Sequence, residues 1–285
     1  MKKILVPIDF SQPSRDALTV AHQLAKKLDA TLVLAHVLEI PLPNVDVSPT
    51  LPTDYVSQAK EGAEAQMKVL TKRQRVTDVA VEYHVLSGSP YRSIIRDMLK
   101  ESAELVVMGS KGASGDQEVL IGSNAERMVR LAHCPVLVVK EKFRVDRVKH
   151  IVFATSLREY DDAVIAELKT LQQTFGARLH LLRVNTPSAF LEDPYAKQRL
   201  REFAETHDLE NYTVHTYSDQ EEEEGIIHFA QEIGAHLIAL TTRGRRGLRH
   251  LFSGSIAEDV ANHTQLPVWT LNLHPSTQNQ PNDDQ

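Results

Sequence analysis

The chain is one unit written twice, and that duplication limits its possible folds more than any other feature. "KKILVPIDFS" at the start and "VKHIVFATSL" from Val148 both read as short buried strands. "ATLVLAHV" pairs in the same way with "ARLHLLRV", "AELVVMGS" with "AHLIALTT", and "CPVLVVKE" with "LPVWTLNL". In the first half the expected strands are β1 near 3–8, β2 31–37, β3 80–86, β4 104–108 and β5 135–140. Helices are expected over 14–28, about 57–73, 91–102 and 124–133. The helix over 14–28 shows Ala17, Leu18, Ala21, Leu24, Ala25 and Leu28 at helical spacing, with Lys26 and Lys27 where the dipole favours cations. Strands alternating with helices of this length imply a parallel sheet covered on both faces, with right-handed crossovers.

The 285 residues suit two domains of about 140 residues. The expected division is a first domain over 1–143, a second over 148–274, and a disordered tail over 275–285 ending in "HPSTQNQPNDDQ". "EIPLPNVDVSPTLPTDY" (39–55) is too proline-rich to be helix or central strand throughout. The run "SDQEEEEG" reads as a solvated helix start that the dipole favours.

Charge narrows the function. Residues 1–144 carry 19 Lys/Arg against 17 Asp/Glu, and residues 145–285 carry 13 against 21. Neither half is basic enough for nucleic-acid binding to be its main task. No run of about 18 apolar residues marks a membrane span. The opening apolar run breaks at Pro7 and Asp9, too early for a signal segment. The single cysteine, Cys134, fits a reducing, cytoplasmic setting, and its place before Pro135 reads as packing.

The chemistry concentrates in "GSKGASGDQEVLIGSNAE" (109–126), whose counterpart is "TTRGRRGLRHLFSGSIAE" (241–258). Offset by 132 positions, every glycine of the first recurs in the second except Gly109, which is replaced by Thr241. These glycines follow β4, not β1, and there is no G-x-x-x-x-G-K-[ST], so neither the dinucleotide fingerprint nor a P-loop is present. The loop runs into a helix at Gly122-Ser123, where free N–H groups favour an anion, and a phosphate chain is the natural occupant. A second reading has equal weight, since Ser123-x-x-Glu126 and Ser255-x-x-Glu258 are capping boxes that need no ligand. If β1 and β4 are neighbours, Pro7-Ile8-Asp9 and Gly109 face each other at the switch point where such sheets bind ligands. Asp9 would serve there as an acceptor, or simply close an Asx turn.

The order "VPIDFS", "AHV", "VMGSKG", "GSNAERMV", "CPVLVV" resembles the universal stress protein family, and the whole chain resembles its tandem two-domain members. Gly109, Gly112, Gly122 and Ser123 meet the G-x2-G-x9-G-[ST] pattern of the family's ATP-binding branch. The resemblance implies two tandem doubly wound, Rossmann-like five-stranded parallel sheets of order β3-β2-β1-β4-β5, packed as a pseudo-dimer. It implies that 135–139 pairs with 267–271. It further implies adenine held by Asp9 and the backbone at Val37, ribose near Pro7, and phosphates on Gly109, Gly112, Gly122, Ser123 and Asn124.

The second half departs from this pattern. Ser156 stands for Asp9, Ala154 for Pro7 and Thr241 for Gly109, and "DQE" (219–221) stands for the Ser-Gly-Ser at 87–89. A serine loses the charge-assisted hydrogen bond, and a positive φ at the β-branched Thr241 would be strained. Acidic residues near 219–224 would repel phosphate, although Arg243, Arg245, Arg246 and Arg249 make this loop more cationic. ATP binding is therefore expected in the first domain and weak binding, or another anion, in the second.

Nothing points to a catalytic residue. Lys111, Asp116 and Glu118 read as solvated loop charges, although Asp116 or Glu118 could hold magnesium beside the phosphates. The 13 histidines show no zinc spacing, and no resident metal is expected. The expectation is an ATP-binding regulatory protein of the stress response with at most slow hydrolysis. The alternative is a nucleotide-free adapter that acts through protein contacts. An ATP-pyrophosphatase-like enzyme would need a phosphate loop directly after β1, and "IDFSQPSRD" does not supply one. The expected partners are an adenine nucleotide and proteins, with a homodimer of tandem chains left open.

Overall fold

The computed structural model describes residues 2–38, 53–88, 103–110, 122–157, 160, 162–242 and 256–272. Ten strands form one sheet: β1 (Lys3–Pro7), β2 (Thr31–Leu38), β3 (Val81–Ser87), β4 (Leu105–Gly109), β5 (Val136–Val139), β6 (His150–Ala154), β7 (Arg178–Asn185), β8 (Tyr212–Ser218), β9 (Leu237–Thr242) and β10 (Val268–Asn272). Their order is β3-β2-β1-β4-β5-β10-β9-β6-β7-β8, so each half has the expected five-stranded arrangement. All pairings within a half are parallel. The two halves join where β5 meets β10 antiparallel, with Val138 opposite Val268, Leu137 opposite Trp269 and Val136 opposite Thr270.

Seven helices of the described residues cover this sheet: α1 (Gln12–Leu28), α2 (Thr53–Arg73), α3 (Ser123–Leu131), α4 (Asp162–Phe175), α5 (Asp193–Thr206), α6 (Glu222–Glu232) and α7 (Ile256–His263). The helix expected over 91–102 lies outside the described residues, as do most of the proline-rich segment and the tail. Alternation along each strand sends side chains to opposite faces. Ile4, Val6, Leu32, Leu34, Ile151 and Phe153 pack under α1, α2, α4 and α5. Leu5, Val33, Val106, Val152 and Leu182 pack under α3, α6 and α7.

Local chemistry explains where α1 begins and ends. Ser11 is its N-cap and its side-chain oxygen accepts from the Ser14 amide, while Pro13 sits in the first turn, where no N–H is needed. The helix stops at Asp29, which takes a left-handed φ of 51°. Gly176 ends α4 at the equivalent place with φ 61°. The duplication extends to other strained turns: Phe10 and Leu157 follow β1 and β6 with φ of 62° and 59°. Bulky side chains occupy this region only when their surroundings hold them there, and both pack against the core.

The connection between halves is anchored. Gln23 of α1 donates from Nε2 to the Phe143 carbonyl at 3.0 Å and accepts from the Val145 amide at 3.0 Å. Val145, which opens a short 3-10 turn over Val145–Arg147, and Val148, which follows it, are both buried. The seam also carries a reciprocal pair. Lys140 Nζ donates to the carbonyl of Ala261 in α7, and Asn272 Nδ2 donates to the carbonyl of Arg130 in α3 at 2.7 Å. Lys140 and Asn272 hold equivalent positions in the two copies.

Candidate functional site

In the first half β1 lies between β2 and β4, so its C-terminal end is the switch point of that sheet. Pro7, paired with Ala35, ends β1, and the Ile8 amide donates to the Ala35 carbonyl at 2.8 Å. Asp9 follows, half-buried. Its Oδ1 accepts from the Ser11 amide at 3.0 Å and from Ser11 Oγ at 2.5 Å. This is the Asx turn, and it hands Ser11 to its role as N-cap of α1. His36 Nδ1 lies 2.7 Å from the Ile8 carbonyl, and its ring packs at 4.9 Å against Phe10, which fixes the β1–α1 corner. Val37 sits half-buried on β2 two residues past Ala35, opposite Leu86 of β3. Gly88, at φ 127°, bonds back to the Leu38 carbonyl.

Across the switch point β4 ends at Gly109, opposite Val139. Its lack of a side chain has a packing cause, because a Cβ there would lie 2.6–2.8 Å from backbone and side-chain atoms of Pro13. Gly109 is not at a positive φ. That corrects the argument of strain at Thr241, which lies in regular strand β9. Buried Ser110 then donates to the Val139 carbonyl and accepts from the Gly122 amide at 2.6 Å, which brings the start of α3 to the end of β4.

Gly122, not Ser123, is the N-cap of α3, and no side chain caps it. The capping box expected at Ser123-x-x-Glu126 is therefore not formed, since Ser123 is one residue too far into the helix. Glu126 instead bonds through its amide to the Gly122 carbonyl. Ser123 and Asn124 are exposed in the first turn, so the helix presents amides without a side-chain cap beside the β1 and β4 ends. Gly112, Lys111, Asp116, Glu118, Ser255 and Arg243–Arg249 lie outside the described residues.

The second half closes the same corner differently. The Thr155 amide donates to the Leu182 carbonyl at 2.9 Å, as Ile8 does to Ala35. Here the turn acceptor is Thr155 Oγ1, which takes the Leu157 amide at 3.1 Å and lies 2.9 Å from the Tyr160 hydroxyl. Ser156, the counterpart of Asp9, is exposed. Arg183 stands where the first half has His36, buried, with Nη2 donating to the Ala189 carbonyl. Asn185 clamps the next loop by donating to and accepting from the backbone of Leu191. Strand register sets Asp219 against Gly88 rather than the expected Ser87; it accepts from Gln220 and sits 2.7 Å from His228 Nδ1, which holds its carboxyl below the usual range. Glu222, Glu223 and Glu224 occupy the first turn of α6, as the dipole favours.

Sequence reasoning missed a cluster in the second sheet. His150 Nδ1 lies 3.0 Å from His180 Nε2, and His180 Nδ1 lies 3.3 Å from His215 Nε2. Thr213 Oγ1 sits beside both His180 and His215, and the His236 ring stacks on His150 at 5.6 Å. No spacing motif marks these four residues. Their signal is that each falls on one alternating face, two residues before Val152, Leu182, Tyr217 or Ile238 of the same core. Burial and the neighbouring positive groups lower the His180 imidazole to about 4. Among the described residues no group of three or more His, Cys, Asp or Glu is arranged to hold a metal. Cys134 packs against the core, and burial pushes its thiol up to about 12, where it is not a nucleophile at neutral pH. No helix among the described residues is long and apolar enough to cross a membrane.

Comparison with known proteins agrees with this geometry. The universal stress protein family model matches residues 1–140 and again 147–272. Universal stress protein MJ0531 of Methanocaldococcus jannaschii is 35% identical over 141 residues, which span 49% of this chain and 82% of that protein. A universal stress protein of Thermus aquaticus is 31% identical over 140 residues, spanning 49% of this chain and 98% of its own length. The crystal structure of a universal stress protein from Archaeoglobus fulgidus is 22% identical and superposes with a TM-score of 0.75 over 95% of this chain and 98% of its own, a likeness of fold. With the family model matched twice and the ten strands arranged as two such sheets, the chain belongs to the universal stress protein family in its tandem two-domain form.

Proposed function

We propose that this protein is a nucleotide-responsive regulator of the stress response whose first domain, 1–143, binds ATP and whose second, 148–274, is degenerate. The observation that carries this reading is the uncapped start of α3 at Gly122–Asn124, tied through Ser110 to the end of β4 at the switch point. Amide donors and the helix dipole there suit a phosphate chain. Asp9 and the Val37 backbone take the adenine end, Pro7 the ribose, and Gly109, Gly112, Gly122, Ser123 and Asn124 the phosphates, with magnesium as companion ion. No residue is assigned a catalytic role, so any hydrolysis is slow. The single cysteine supports a reducing, cytoplasmic home.

Thr155 and Asn185 at the ends of β6 and β7 are engaged by Leu157, Tyr160 and Leu191 of the chain itself, which supports weak or different binding there. Titrating the full chain with ATP by calorimetry counts the sites. One site per chain, weakened at least about tenfold by Asp9→Ala, is the expected result, given the worth of a hydrogen bond to a charged group. Two equal sites would overturn the degenerate second domain. Absence of binding would favour the nucleotide-free adapter, a reading supported by the packing cause of Gly109 and the Asx turn at Asp9.

A further inference from the structure

At the opposite end of the sheet from the crevice, a cavity of roughly 100 Å³ lies in the seam between the two halves. Its walls come from both: Leu24 and Leu28 of α1, Leu171 and Phe175 of α4, Leu137 of β5 and Trp269 of β10. The β1 and β4 starts form its rim, with Lys2 and Glu104 exposed there. Protein interiors are normally close-packed, and a partly open pocket of this volume has room for a single small ring.

One wall residue does not fit a plain packing seam. Glu167 of α4 lines the cavity half-buried, and its counterpart in α1 is Val20, which is fully buried core. Burial raises the Glu167 carboxyl above the usual range, the charge of Glu104 adds to this, and Lys2 opposes it. Lys3 is already engaged, with Nζ 3.0 Å from Glu82. Lys2 thus faces two carboxylates, Glu104 at the exposed rim and Glu167 on the half-buried wall beside Leu171 and Phe175. Thr170 and Thr174 add hydroxyls to the same lining.

We propose that this seam is a binding site for a small primary amine with an apolar ring or branched chain, its ammonium on Glu167 and its body between Leu171, Phe175 and Trp269. A carboxylate withdrawn from water is costly unless a cation pairs with it closely, and an apolar amine supplies a closer pair than the exposed Lys2 while it fills the pocket. The occupant bridges α1 and α4, so it ties one half to the other, away from the nucleotide crevice.

The test is an NMR-observed titration of the full chain with benzylamine, benzyl alcohol and benzoate near neutral pH. Benzylamine is expected to bind saturably, at least about tenfold tighter than benzyl alcohol, with benzoate weakest. Glu167→Gln, which keeps the shape of the side chain, is expected to bring benzylamine down to the level of the alcohol and leave the alcohol unchanged. Asp9→Ala is expected to leave all three unaffected, which separates this site from the nucleotide crevice. The proposal is overturned by no saturable binding of benzylamine, by benzoate binding more tightly than benzylamine, or by an affinity for benzylamine that Glu167→Gln does not change.

Discussion

The two sheets carry the same face at the same height and furnish it with different chemistry. In the first, Lys3 of β1 reaches Glu82 of β3 at 3.0 Å, His84 stands 3.6 Å from the same carboxylate, and Val33 lies buried between the outer strands. In the second, the equivalent positions are His150, Thr213, His215 and His180, with His236 in place of Glu104. One copy balances charge with charge. The other packs four imidazoles together, with Arg178, Lys149 and Lys197 as the charges that bear on them. The lesson is that a duplicated fold keeps its backbone while the two copies take on different responses to acid.

The largest effect expected from this contrast is on stability against pH. The His180 imidazole is depressed to about 4 in the folded protein, against 6.5 for an ordinary histidine. Between those values the unfolded chain binds the proton and the folded one does not, so stability is present above pH 6.5 and is lost as pH falls toward 4. The loss for His180 is at most on the order of a few kcal/mol, since part of the depression comes from its coupling to His215 and His150. His215 and His236 shift the same way and add to it. In the first sheet Glu82 is held below the usual carboxylate range by Lys3. Its contribution is present above the unfolded carboxylate pKa and goes only as pH falls through the lower, folded value. Urea unfolding followed between pH 7 and 4 tests this, with His180→Val, the residue of the other half, expected to flatten the slope. An unchanged slope in that variant would remove His180 from the explanation.

The β4 and β9 ends sharpen the comparison next. Gly109→Ala places a Cβ against Pro13 and is expected to cost about 2 kcal/mol, typical of overpacking, whereas Thr241→Ala in the second half is expected to cost well under half of that. Thermal melts of the two variants, side by side, check the asymmetry. Across the seam, Asn272→Ala leaves the Arg130 carbonyl without its donor and is expected to lose about 1 kcal/mol in denaturant unfolding. Smallest of all is the Arg144–Asp146 pair in the connection, both partners largely exposed. Arg144→Ala is expected to leave the melting temperature unchanged within error, and a clear drop would give the connection a role that its contacts do not suggest.

Much of the fold was legible because it rests on local patterns repeated twice. Strand runs such as "ATLVLAHV" and "ARLHLLRV" set the sheet, and the chain's resemblance to its family implied the β5–β10 edge pairing now seen between Val138 and Val268. The site was legible in part. Gly109 packs against Pro13 near the start of α1, and the start of α3 is tied through Ser110 to the end of β4. What escaped the sequence depends on contacts between distant residues. The reason for Gly109 is Pro13, 96 positions earlier, and the position of Gly122 rather than Ser123 as N-cap depends on the Ser110 carbonyl. The histidine row is spread over 87 residues and exists only once strand register aligns it. The cavity needed the seam itself, because no single segment contributes both Glu167 and Trp269.

The antiparallel junction of β5 with β10 has a consequence for how the molecule behaves on dilution. Two separate copies joined by that edge would part as their concentration fell. Here the connection over Val145–Arg147 keeps both partners on one chain, so their ratio is fixed and their encounter is independent of expression level. Covalent union also frees each copy to change alone, since a substitution is no longer made on both sides of the junction at once. Lys140 facing Ala261 and Asn272 facing Arg130 is what that freedom looks like at a single pair of positions.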